Sequence, residues 1–341
     1  MFETLRCSRA AFAVLVPLAT AVLTGCPSET EAPADTTWHE AFDATQTGWL
    51  LNAWGPSGSD VYAVGGEPSA GKMMHFDGES WTPVALPNGT PLLAWGYGFS
   101  KSDITFVGDA GTILHFDGKG FTKEDAGTTE DLWGVWGSGP DDLWAVGGSG
   151  QKGAVPTIVH YDGAVWVAAQ TPALQKANVN AFFKVWGTSK DNVYVVGQRG
   201  TVLHYDGSGW KEELVGASDD LISLWGTDAS HVFAVGGRGN GLISRFDGKE
   251  WRTESLAPLP GLNGVFVRTP KVIHVVGITG TIADIDGETL EVVRESPWDT
   301  ELDLHAVFSA GDQLFAVGGS LASTKPPYEG LALHRGLAPE E

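Results

Sequence analysis

From Trp38 onward the chain alternates between short apolar runs and clusters of Gly, Asp, Ser and Pro. The runs are rich in Val, Ile, Trp and Tyr, and Gly or Asp-Gly punctuates them, which is the pattern of β-strands joined by tight turns. Val61–Gly66, Leu143–Gly148, Val193–Gly197 and Val232–Gly237 are apolar on both alternating faces. That suits strands with sheets packed against both sides. Weaker copies stand at Ile104–Gly108, Val272–Gly277 and Leu314–Gly319. A 3.6-residue amphipathic period is missing after Pro33, apart from one short turn at Ala173–Ala177. The chain is therefore expected to be all-β.

The runs recur in a fixed order. An aromatic anchor, usually Trp-Gly, is read at Trp54, Trp95, Trp136, Trp186, Trp225, Phe266 and Phe308, at spacings of 41, 41, 50, 39, 41 and 42 residues. A turn follows, then the "VYAVGG" run, then "HFDG" or "HYDG", then another aromatic. Each copy holds four short strands, which matches a propeller blade. The seventh copy stops at "GLALHRG", and Trp38–Ala44 resembles the end of a copy. The N-terminal segment is thus expected to supply the fourth strand of the last blade. The expected architecture is a seven-bladed β-propeller over residues 38–341, closed without free sheet edges.

The His-x-Asp pair inside each copy invites a catalytic or metal-binding reading. His75, His115, His160, His204 and His334 occupy one repeat position, with Arg245 and Asp284 in the other two copies. In "TVLHYD", His204 and Asp206 share a strand face about 7 Å apart. Blades are related by rotation, and a zinc ion needs its nitrogens within about 2.1 Å, so equivalent histidines are not expected to converge. Asp206-Gly207 instead reads as a type I′ hairpin turn into a fourth strand whose Trp210 packs under the next blade. The site residues expected from this motif are therefore neither catalytic nor metal-binding, and no cofactor is implied.

Composition narrows the function classes. The 341-residue chain has a net charge of −21. Clustered Lys/Arg, which nucleic-acid binding requires, is not seen. Residues 1–25 read as a secretory signal: a net-positive start with Arg6 and Arg9, then an uncharged run from Ala10 to Leu23. The run ends in "LTGC", Leu23–Cys26, which resembles the bacterial lipobox. That resemblance implies cleavage before Cys26 and acylation of it, a stable membrane anchor. Only Cys7 and Cys26 are present, so the processed chain has no disulfide. It keeps 41 acidic and 19 basic residues, a net charge of −22. Residues 26–37, Cys26 with "PSETEAPADTT", form a polar tether. By resemblance to the enterobacterial sorting rule, Pro27 rather than Asp after the Cys implies the outer membrane.

The segment "WGSGPDDLWAVGG…IVHYDGAVW", Trp136–Trp166, resembles the repeats of bacterial BNR/Asp-box-like (YVTN/BNR-type) propeller lipoproteins, and the resemblance spans residues 38–336. Here Asp206 precedes Trp210 by four residues rather than the usual five, and His stands at the usual Ser place. In that family the Asp-box is structural, and ligands meet the face built by the loops between second and third strands and between blades. Those loops are long in blades one, three and seven, and at 170–180. Arg199 and Arg238 hold equivalent positions there, and with Lys72, Lys152 and Lys325 they form a candidate cationic rim for a carboxylate or sulfated sugar. The expected role is a non-catalytic binding scaffold, a lipid-anchored monomer meeting envelope proteins or extracellular polysaccharide. The other reading is a sialidase-like hydrolase or lyase. That resemblance implies an Arg triad, a Tyr nucleophile with a Glu partner and an Asp acid. Of the seven Arg after Cys26, only Arg199 and Arg238 are placed on the loop face.

Overall fold

In the computed structural model the described residues are 35–151, 153–295, 300–321, 323 and 325–337. Expectations concerning residues 1–34, including the signal and Cys26, lie outside them, as does Lys152. Among the described residues twenty-eight strands form seven four-stranded sheets. Each is an antiparallel meander; blade four, for example, runs Phe182–Ser189, Asn192–Gly197, Val202–Tyr205 and Trp210–Glu213. In blade seven the fourth strand is His39–Glu40, pairing His39 with His334 and Glu40 with Leu333. The protein is a closed seven-bladed β-propeller. At the short turn expected over Ala173–Ala177 there is no helix; bends at 175–176 run into a turn at 177–178.

The closing strand is held by more than its ladder. Ala41 N–H donates to the Ala332 carbonyl at 2.8 Å. The buried Trp38 indole donates to Glu295 of blade six at 3.1 Å, and its ring lies 5.1 Å from the Arg335 guanidinium. Arg335 in turn bridges Asp284 and Glu295 of the neighbouring blade. The same geometry links interior blades: Trp166 donates to Glu124 at 2.7 Å, and Trp251 donates to Glu213. A fourth-strand Trp therefore clasps the blade before it. Trp210 follows the rule, meeting Trp144 of blade three edge-on at 5.1 Å, so it packs on the preceding blade and not the next.

Strand pairing corrects one anchor. Tyr97 stands opposite Thr105 and Gly98 opposite Ile104, the register that Trp136 and Gly137 hold in blade three. The blade-two anchor is Tyr97-Gly98, and Trp95 sits two residues earlier. The anchors converge around the axis. Ring centroids lie 5.8 Å apart for Trp54–Tyr97, 6.4 Å for Tyr97–Trp136, 5.2 Å for Trp225–Phe266 and 5.9 Å for Phe266–Phe308. The Gly after the anchor makes room. A Cβ on Gly187 would lie 2.6 Å from the Asn192 carbonyl oxygen and 2.9 Å from the Trp136 ring. The aromatic-Gly pair is thus an inter-blade packing device.

Candidate functional site

The His-x-Asp repeats resolve into frame. Four of the five histidines bond the residue that opens their own blade's second strand, whereas His334 stacks on Phe315 with its Nδ1 buried and unpartnered. His75 reaches Asp60 at 2.8 Å, His115 reaches Asp103 at 3.0 Å, His160 reaches Asp142 at 2.6 Å and His204 reaches Asn192 at 2.7 Å. The imidazoles also stack on second-strand aromatics, at 4.4 Å for Tyr62–His75, 4.0 Å for Trp144–His160 and 4.3 Å for Tyr194–His204. Blade six swaps the partners, with His274 on the second strand and Asp284 on the third. The motif's own Asp does something else. The carboxylates of Asp77, Asp117, Asp162 and Asp247 each accept the two amides two and three residues on, and Asp206 accepts the Ser208 amide. Those turn hydrogen bonds hold Asp77, Asp117, Asp162 and Asp247 below the usual carboxylate range. In these turns Gly alone has positive φ, +84° at Gly207. The turn is therefore the primed type with Gly at its first central position, not type I′. Groups of three or more His, Cys, Asp or Glu able to hold a metal ion are absent among the described residues.

The loop face is built differently. Short turns after the second strands place Ala110, Arg199 and Thr279 at φ of 54°, 58° and 51°. Each donates its backbone N–H to an Asp just before the next blade's inner strand: Ala110 to Asp131 at 3.0 Å, Arg199 to Asp220 at 2.8 Å and Thr279 to Asp303 at 3.0 Å. Blade six has Gly261 at that place, so Arg238 turns back. Its amide donates to Asp219 at 2.9 Å and its guanidinium to Asp220 at 2.7 Å. Arg199 and Arg238 therefore meet at one carboxylate, the first by its backbone and the second by its side chain. Lys72 lines a separate cleft between the 69–74 hairpin and residues 86–90. Lys325 is exposed in the blade-seven loop, where the Ser323 hydroxyl donates to its carbonyl at 2.7 Å.

At the centre of this face a cavity of about 350 Å³ opens on the axis. Each inner strand contributes the residue three before its anchor: Leu51, Ala94, Trp133, Phe183, Ile222, Asn263 and His305. That residue is the extra one of a register shift, so its side chain is turned out of the ladder toward the axis. Arg238, Ile278 and Leu321 from the turns rim the opening. The Trp133 wall is fixed by its indole, which donates to the Gly148 carbonyl at 2.8 Å.

The position two before the anchor reads Asn52, Trp95, Gly134, Lys184, Ser223, Gly264 and Ala306 around the ring. Only Lys184 is ionisable. Its Nζ donates to the Trp133 carbonyl at 2.8 Å and sits 4.0 Å over the Trp95 ring. Burial alone lowers its pKa to about 7. His305, across the ring, is pushed down to about 4 by burial, so its imidazole is neutral; its Nε2 is buried without a partner. Asp303 completes the charged lining. Sequence reasoning missed Lys184 and His305. The available signal was the lysine in "FFKVWG", where other blades carry small, amide or aromatic residues, but assigning Trp95 as an anchor hid that register.

Searches for family models and for curated relatives find no match. Solved structures match in fold. YCF48 bound to a D1 peptide aligns with a TM-score of 0.66 and 15% identity over 90% of this chain and 100% of that one. YCF48 from Cyanidioschyzon merolae aligns at 0.65 and 14%, over 88% and 98%. The WD40 repeats of RRP9 align at 0.68 and 13%, over 90% and 99%. At these identities the likeness establishes the β-propeller fold.

Proposed function

We propose that this protein is a non-catalytic binding scaffold of the cell envelope, anchored through acylated Cys26, which presents the long-loop face of its propeller to a partner. One observation carries this reading: the frame repeats from blade to blade, while the axial cavity on the loop face is lined by a different residue from each blade. A frame that repeats supports folding, and a lining that varies supports recognition. Four of the five motif histidines bond within their own blade and His334 stacks on Phe315 of its blade, which leaves the binding chemistry to the axial face. A neighbour of the same fold bound to a peptide supports a protein partner, with extracellular polysaccharide as the other class. The polar tether and Pro27 support an outer-membrane location.

The hydrolase reading has no particular observation in its favour. Of the arginines, Arg238 lines the cavity, while Arg245, Arg252 and Arg335 pair with Glu254, Glu250 and the Asp284–Glu295 couple. The test is affinity capture from envelope extract with the wild type and an Arg199→Ala/Arg238→Ala double variant, with Lys72, Lys152 and Lys325 next in line. The variant is expected to lose a defined set of partners. Equal recovery of every partner by both proteins would remove this face from the reading. Mass spectrometry of the processed N-terminus tests the anchor; an unmodified Cys26 would overturn it.

A further inference from the structure

Lys184 costs the frame more than its contacts return, which are one hydrogen bond to the Trp133 carbonyl and a place over the Trp95 ring. Six blades place an uncharged residue at its position, and three of those serve packing or bonding. Asn52 accepts the Gly96 amide at 3.0 Å, Ser223 accepts the Val265 amide at 3.2 Å, and a Cβ on Gly134 would lie 2.9 Å from the Phe183 carbonyl. Blade four alone spends this position on an amine sunk in the channel wall. No carboxylate lies within ion-pair distance of its Nζ among the described residues. Its one hydrogen bond, to the Trp133 carbonyl, leaves two of its three N–H donors unused. A half-buried cation in an apolar wall is ordinarily paired.

The remaining charged and titratable groups facing the cavity are few. Arg238 is already neutralised by Asp220. Asp303 holds the Thr279 amide through one oxygen. His305 stays neutral, its Nε2 without a partner. The walls are otherwise Leu51, Trp133, Phe183, Ile222 and Leu321. Asp303 is the one carboxylate of the lining and does not pair with Lys184, so the amine is left without a counter-ion beside it in a largely apolar enclosure. Asp303 disfavours a dianion such as a phosphate monoester. The volume stands at the small end of ligand pockets, which run from about 300 to 1,000 Å³.

We propose that the axial cavity binds a small organic monocarboxylate with an apolar body, its carboxylate accepting hydrogen bonds from Lys184 Nζ and its body packing against Trp133, Phe183 and Ile222. This deepens the scaffold reading by naming the ligand class at its centre, and it rests on that reading. Binding the anion restores the amine's ordinary preference for the charged form, so above pH 7 binding takes up a proton. The same chemistry comes from a free small acid or from the carboxyl terminus of a chain ending in an apolar residue.

Isothermal titration of the full chain with 3-phenylpropanoate, 3-phenylpropanamide and a hexapeptide ending in Phe, as free acid and as amide, tests this. At pH 6 a carboxylate form is expected to bind at least tenfold more tightly than its amide. Above pH 7 its affinity is expected to fall roughly tenfold per pH unit, the slope for uptake of one proton. The measured heat should change with the ionisation enthalpy of the buffer. Lys184→Met should abolish both the carboxylate preference and the pH slope, while Lys184→Arg should keep the preference without the slope. Circular dichroism and denaturant midpoints confirm that both variants fold. Binding of the small acid alone assigns the source to a free carboxylate, and binding of the peptide acid alone assigns it to a chain terminus. Equal affinity for acid and amide at pH 6, a Met variant that keeps the preference, or no binding of either acid at millimolar concentration overturns the proposal. In that case partner capture dependent on Arg199 and Arg238 still stands, so the two failures are distinguishable.

Discussion

Replacing Lys184 by Met should make the folded protein more stable at pH 6 and slightly less stable at pH 10. The folded amine titrates at about 7, against an ordinary 10.5. Below pH 7 it is protonated in both folded and unfolded chains, and the whole burial penalty is felt. Between pH 7 and the ordinary value the unfolded chain holds more protons, so wild-type stability rises with pH. At 1.36 kcal/mol per pKa unit the full shift corresponds to about 5 kcal/mol. Met removes that penalty and keeps the apolar stem. It also removes the hydrogen bond to the Trp133 carbonyl, worth about 1 kcal/mol. The variant is therefore expected to gain ~4 kcal/mol at pH 6 and to fall only slightly below the wild type at pH 10, where most of the unfolded chain's lysine is still protonated. Urea midpoints at half-unit pH steps, read with an unchanged m-value, measure this directly. A stability difference that does not vary with pH would refute the reasoning, because it would mean that water reaches the amine freely in the folded state.

Other consequences concern the frame. Trp38→Ala should cost about 3–5 kcal/mol in thermal or chemical unfolding, since the indole is buried, bonds Glu295 and lies against Arg335. Gly187→Ala should cost about 1–3 kcal/mol, because the new methyl meets the Asn192 carbonyl and the Trp136 ring, and near-ultraviolet circular dichroism should report the displaced indole. His160→Leu should cost about 1–2 kcal/mol by removing the partner of Asp142, while leaving partner capture unchanged. Loss of capture by that variant would return the His-x-Asp repeats to the candidate sites.

Much of the architecture was readable from the repeat. The blade number, the antiparallel meander and the N-terminal closing strand follow from where the apolar runs start and stop. Each blade repeats because each must bury both faces against near-identical neighbours. What the repeat did not give was register. Trp95-Gly96 and Tyr97-Gly98 both read as aromatic-Gly anchors, and only pairing with Thr105 and Ile104 selects the second. The direction in which Trp210 packs was hidden for the same reason, since a sequence does not say on which side of a blade its neighbour lies.

The patterning of Trp38–Leu337 was enough to specify a closed seven-bladed ring, because two-residue alternation and turn chemistry are local properties of a chain. It was also enough to set the His-x-Asp segment aside as a folding element, because equivalent positions on rotated blades cannot share one ion. Which partners those histidines take, 12 to 18 positions away, and which side chains meet on the axis, as Trp54 meets Phe308, are decided by strand pairing and by the ring. Lys184 and Trp95 come from different blades and touch only because the ring closes. A lysine among apolar residues reads as ordinary in the chain. Placed in the channel wall, with no carboxylate beside it among the described residues, it becomes the group most in need of a ligand.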